Sequence, residues 1–473
     1  MLFPTLQFAV FFAVVLPIAW LVSPWRPVWK LFILIASYVF YAAADPWFCL
    51  LLAGSTALNQ TAAVLINRWR GRERTRWVLA GAITANLATL ATFKYLDFFI
   101  TSVSDALDRF GAHTSPHLLH LALPIGISFF TFQGMSYVID VYRDDLRPSG
   151  WFDFAVYQAF FPHLVAGPIV RARELLPQLA VRRNPRAVPV TQAVGLILGG
   201  LAKKVVVADV IATRLVDPVF GAPDAHSGPE ILLAIYGYAV QIYCDFSGYS
   251  DMAIGLALLL GIRFPRNFDR PYTATSLQDF WRRWHITLSS WLRDYVYIPL
   301  GGGRGGRLLR ARNVMLTMIL GGLWHGAAWT FVLWGAVHGF GLAVERIVAE
   351  RFRWRMKRTG VVISRLITFH FVCAAWVLFR APSLSVAGHL FSRLFSWAST
   401  LPGSSQIITP LLIGLVVGGI AMQYLSLDLR QKGIVVFNRL PFAAQGILTG
   451  VALVVTITVV DHQGVAPFIY FRF

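Results

Sequence analysis

His325 is the residue in this sequence best placed to do chemistry. It stands in Gly321-Gly322-Leu323-Trp324-His325-Gly326-Ala327-Ala328-Trp329, after about nine apolar or weakly polar residues beginning at Leu316. An ionisable group in such a run is costly in a membrane and marks an internal cavity or pathway. Imidazole changes charge near neutral pH and can take the proton of an attacking hydroxyl, which acyl transfer to an alcohol requires. The small neighbours let another backbone or a linear substrate come close. A core histidine bonded to a carbonyl is the plain alternative. His285, in the run Asp279 to Asp294, is the second candidate, against an ordinary interface histidine. His338 and His163 are weaker. Asp245 and Asp251 flank Phe246-Ser247-Gly248-Tyr249-Ser250 and read either as a proton path or ion site, or as a hydrogen-bonded helix contact near a kink at Gly248. Asp279, Arg282, Arg283, Ser289 and Trp324 join them as candidate lining of a substrate or donor pathway. The glycine-rich stretch 301–306 lacks the ending of a phosphate loop and reads as a basic turn. No nucleophile elbow and no zinc motif is found, so no metal site is expected.

The elements that must hold these residues are membrane helices. Of 473 residues, 56% are hydrophobic and only 14% charged, too few charges to cover a soluble protein of this length. Spans of about 20 apolar residues can be drawn at 4–23, 29–46, 48–66, 77–96, 118–139, 191–216, 230–259, 313–347 as a pair, 362–380, 408–426 and 442–461. That predicts ten to twelve membrane helices in a single domain, 1–473, with its motif core at 120–345. The first span lacks a basic leader and a cleavage site and reads as a retained helix. Cys49, Cys244 and Cys373 are far apart in apolar sequence and read as buried small side chains.

The net charge of +19 does not indicate nucleic acid, because the basic residues sit in the short loops between spans. Clusters at Arg68–Arg76, Arg182–Arg186, Arg304–Arg312 and Arg351–Arg358 follow the positive-inside pattern and face anionic lipid. With the first cluster cytoplasmic, the alternation puts both termini on the outer side. The longest non-spanning region, 260–312, carries Phe280, Trp284, Leu288, Trp291 and Tyr295 on one helical stripe, which predicts an amphipathic helix that lies at the interface or re-enters. Arg263, Arg266, Asn267, Asp269 and Arg270 form a polar approach before it.

Trp281-Arg282-Arg283-Trp284-His285-Ile286-Thr287-Leu288-Ser289-Ser290-Trp291-Leu292-Arg293-Asp294-Tyr295, followed by Gly321 to Gly326, resembles the signature of the membrane-bound O-acyltransferases. Leu123 to Phe129, Phe161 to Pro168 and Asp245 to Gly255 support the resemblance, which runs over about residues 1–380 and is strongest to the alginate O-acetylating branch. It implies that His325 is the catalytic histidine and His285 the second polar position. It also implies a ring of helices thinned at its centre into a tunnel where donor and acceptor meet from opposite sides.

On that footing the expected activity is O-acetyl transfer in the bacterial inner membrane. No bound cofactor is expected; acetyl-CoA or an acylated carrier serves as the thioester donor. The acetyl group moves across the membrane to an exopolysaccharide such as alginate, directly or through a periplasmic acetyltransferase, with polysaccharide-export proteins as further partners. Two other readings stand beside it: a transporter or scaffold without bond-making, and acylation of another envelope glycan such as cellulose, peptidoglycan or teichoic acid.

Overall fold

The computed structural model describes residue 1, residues 3–112, 115–351, 358–396 and 407–425, and scattered positions between 436 and 451. The described residues form helices and no strand. Among the described residues, four helices are long and apolar enough to cross a membrane: Phe48–Arg68, Gly228–Leu259, Trp329–Arg351 and Arg358–Arg380. Leu6–Val22 and Pro410–Ala421 are apolar but shorter. The expected span 442–461 is described only at isolated positions, and the C-terminus lies outside the described residues.

The chain divides into two compact units. Residues 1–190 with 256–265 make the first, and 191–255 with 266–473 the second. In lipid, helices gain nothing from hiding apolar surface from one another, so close packing and internal polar pairing must hold them together. The first unit shows this at its centre. Asn59 on Phe48–Arg68 and Asn86 on Arg74–Leu90 exchange carboxamide hydrogen bonds of 3.2 and 2.9 Å. The adjacent Gln60 accepts from the Tyr137 hydroxyl at 2.9 Å, which ties in Ile127–Tyr142. That last helix starts at Ile127, so the expected span 118–139 is helical only in its second half.

The second unit is built on residues 228–255 of Gly228–Leu259, a helix of 32 residues and about 48 Å at 1.5 Å per residue. It runs unbroken through Gly248, so the expected kink is not there. A Cβ on Gly248 would lie 2.6 Å from the carbonyl oxygen of Gly200, and the glycine serves close helix approach instead. The expected span 191–216 is not one regular helix. Val190–Leu201 passes into wider, π-type turns at Ala202–Asp209 and again at Ala212–Val216. Such turns recur at functional sites and here carry Lys203, Lys204 and Asp209.

The expected pair 313–347 is a hairpin of Arg307–His325 and Trp329–Arg351. Its arms touch through glycines: a Cβ on Gly322 would meet the Phe331 carbonyl oxygen at 2.2 Å, and one on Gly335 the Met318 carbonyl oxygen at 2.4 Å. The stripe expected to form a single amphipathic helix is two short ones, Leu277–Arg283 and Ile286–Leu292. The break falls at Trp284 and His285, and His285 takes a left-handed conformation, φ +41°. The apolar stripe is nevertheless buried as its spacing indicates, with Phe280, Trp284, Leu288, Trp291 and Tyr295 all in the core.

Candidate active site

His325 is the last residue of its helix, and Gly326 ends it with extended backbone. A side chain at 326 would strike the Phe331 ring at 2.1 Å, so glycine is required for the hairpin to close beside the histidine. The imidazole, 3% exposed, sits among aromatic rings contributed by three helices. Trp324, Trp334 and Phe379 stand edge-on to it at 5.1, 5.2 and 5.0 Å between centroids. Edge-to-face is a favoured arrangement of aromatic rings, and the three rings pack closely around the imidazole.

His285 reaches the same cluster from the break between the two short helices. Trp324 separates it from His325, with ring centroids 5.9 Å from His285. Phe246 from Gly228–Leu259 meets the His285 ring edge-on at 4.6 Å. The first short helix is anchored where Ser276 accepts from the Asp279 N–H at 3.0 Å, and where Glu345 accepts from the N–H groups of Leu277 and Gln278. These caps satisfy donors that a helix start leaves exposed and fix the helix before the bend. Tyr272 locks the approach to it, donating its hydroxyl to the Ala239 carbonyl at 2.6 Å.

Of the other candidates, Trp324 belongs to the cluster and the charged ones do not. Asp279 pairs with Arg283 at 2.8 Å, Arg282 is exposed, and Ser289 donates to the Trp284 carbonyl at 3.1 Å. Asp245 pairs with Lys204 at 2.8 Å, Lys204 reaches Asp209 at 2.8 Å, and Asp251 pairs with Lys203. Both carboxylates thus enter a lysine-linked network that sequence reading missed, although two adjacent lysines in an apolar stretch were the signal. His338 accepts from the Trp281 indole N–H at 3.3 Å, and His163, in the first unit, donates Nε2–H to the Tyr157 carbonyl at 3.0 Å. Both behave as bonded core histidines. Trp334 and Phe379, which wall His325, carry no signal in the sequence reading, and Asn267, expected only as part of a polar approach, instead bonds His285.

A profile of the membrane-bound O-acyltransferase family matches residues 83–381. The chain is similar to a probable alginate O-acetylase of Pseudomonas aeruginosa, 43% identical over 84% of this chain and 75% of that protein. It is also similar to a peptidoglycan O-acetyltransferase of Helicobacter pylori, 39% identical over 76% of this chain and 72% of that protein. A teichoic acid D-alanyltransferase of Bacillus subtilis is 27% identical over 70% of this chain and 82% of that protein.

Proposed function

This chain belongs to the membrane-bound O-acyltransferase family, and from that premise we propose that it O-acetylates an exopolysaccharide such as alginate. It is a multi-pass membrane O-acyltransferase. The donor is a cytoplasmic thioester, acetyl-CoA or an acylated carrier, and the acetyl group crosses the membrane to the glycan, directly or through a periplasmic acetyltransferase. Ten to twelve membrane helices in one domain surround a thinned centre, with both termini outside and export proteins as neighbours.

The observation that carries this reading is the placement of His325, buried at a helix end inside an aromatic wall with His285 beside the same tryptophan. His325 acts as general base. It takes the proton of the acceptor hydroxyl as the hydroxyl oxygen attacks the thioester carbonyl. The carbon–sulfur bond breaks, the thiolate leaves with the proton His325 held, and the products are an ester and a free thiol. His285 orients the acceptor or stabilises developing charge. The similarity to a peptidoglycan O-acetyltransferase favours one other acceptor class, a cell-wall glycan.

General base catalysis is worth about 10²–10⁴-fold. Transfer of labelled acetyl groups in inverted membrane vesicles should fall by that factor in His325→Ala, compared at matched, folded expression. Undiminished transfer would overturn the catalytic assignment and leave transport or scaffolding as the better account.

A further inference from the structure

We infer that Asn267 is a positioning residue that sets the working tautomer of His285, so that His285 presents a bare Nε2 to the acyl acceptor. The inference rests on the acyltransferase reading above and narrows it: of the two roles left to His285, holding the acceptor or donating to a developing oxyanion, only the first is open.

The geometry decides which end of the Asn267 carboxamide faces the histidine. Asn267 is 1% exposed and lies against the bend that carries His285. The Ile286 N–H donates to the Asn267 carbonyl at 2.8 Å, and the Asp269 N–H to the Arg283 carbonyl at 2.9 Å, so the two segments run side by side. The side chain then reaches across. The backbone N–H of Thr287, which can only donate, lies 3.2 Å from Oδ1, and the Thr287 hydroxyl donates to the same oxygen at 2.8 Å. Nδ2 turns the other way and donates to Ser250 Oγ at 3.1 Å. Flipping the amide would set its NH₂ against a backbone N–H, so chemistry fixes the assignment.

His285 Nδ1 is 3.1 Å from that Oδ1. An amide oxygen cannot donate, so Nδ1 carries the hydrogen. A neutral imidazole has one N–H, which leaves the lone pair on Nε2. Nε2 is buried and makes no hydrogen bond to a protein group. The rings against it, Phe246, Phe268 and Trp324, do not titrate. The left-handed backbone of His285 is one that side chains rarely adopt, and it persists because Asn267 grips the bend by both main chain and side chain. A bare Nε2 accepts hydrogen bonds. We assign it to a hydroxyl of the acceptor neighbouring the one His325 deprotonates, as adjacent sugar hydroxyls would offer.

Nitrogen NMR on protein carrying ¹⁵N-labelled histidine tests the tautomer without any need for activity. The His285 signal, identified by its loss in His285→Gln, should report a protonated Nδ1 and a bare Nε2, and should become a tautomer mixture in Asn267→Leu. A wild-type signal with the hydrogen on Nε2 would overturn the inference. Acetyl transfer in inverted vesicles, from labelled acetyl-CoA to endogenous polysaccharide, tests the consequence. Asn267→Asp keeps the accepting oxygens but adds charge, so it favours the protonated imidazole. The acidic limb of its pH profile should therefore move up by about one to three pH units. An unmoved limb at the wild-type rate would make Asn267 merely structural. His325→Ala separates the two readings: full transfer with the expected nitrogen signal removes the transferase mechanism and leaves the tautomer standing. If Asn267→Asp fails to fold, the wild-type spectrum alone decides.

Discussion

At the scale of single residues, the second unit contrasts two ways of keeping polar groups inside a membrane protein. The histidine cluster is surrounded by rings, whereas Lys204, 2% exposed, is held between Asp209 and Asp245 at 2.8 Å each. An ion pair in a poorly polarisable interior just repays the loss of hydration, but removing one partner strands a charge and costs about 3–5 kcal/mol. Lys204→Met should therefore lower the unfolding midpoint of the purified protein sharply, and removing both acids as well, in Lys204→Met/Asp209→Asn/Asp245→Asn, should recover part of the loss. Equal midpoints for the single variant and wild type would show that the network is not what holds these helices. The same numbers explain why Asp245 and Asp251 are poor candidates for reacting groups: each is already engaged by a lysine.

At the scale of elements, the position of His325 depends on how closely the arms of its hairpin approach. Gly322 and Gly335 each face the opposite arm's carbonyl at a distance that admits no side chain. Forcing a methyl group into such a contact typically costs 1–3 kcal/mol and shifts backbone. Gly322→Ala should reduce acetyl transfer at least tenfold while the protein still inserts, since a shift of about 1 Å at a catalytic group can cost 10²-fold. Gly54→Ala, on Phe48–Arg68 where nothing lies within 4 Å, is the matched control and should be neutral. Wild-type activity in Gly322→Ala would mean that the hairpin spacing does not set the site.

At the scale of the whole molecule, the arrangement across the membrane follows from where arginine can remain. Two of the long apolar helices, Trp329–Arg351 and Arg358–Arg380, expose apolar faces, with Val344, Ile347, Val348, Val362, Ile363, Leu366 and Ile367 all open to the surroundings, as lipid-facing surfaces must be, whereas Gly228–Leu259 is largely buried. With the arginine-rich turn at 304–312 cytoplasmic, a single cysteine placed at Arg304 in a cysteine-free protein should react with an impermeant maleimide only from the inner side. One placed at Leu6 should react only from the outer side. Labelling of both from one side would overturn the proposed topology.

Composition and the spacing of charged loops were sufficient to establish a helical membrane protein. The reason is that lipid cannot hydrogen-bond a backbone, and charge is expensive away from water. The local strings around His285 and His325 also singled out both histidines, because an ionisable residue among glycine and tryptophan is conspicuous by itself. Other features depend on atoms far apart in the chain. No pattern local to 277–297 shows that its apolar stripe bends at His285, because the bend is held by Asn267, 18 positions earlier. The pairing of Lys204 with Asp245, 41 positions on, is likewise invisible until the helices pack. Sequence thus determined which groups are costly to bury; only tertiary structure decided which partner each one meets, because a hydrogen bond or ion pair is made by distance in space and not along the chain.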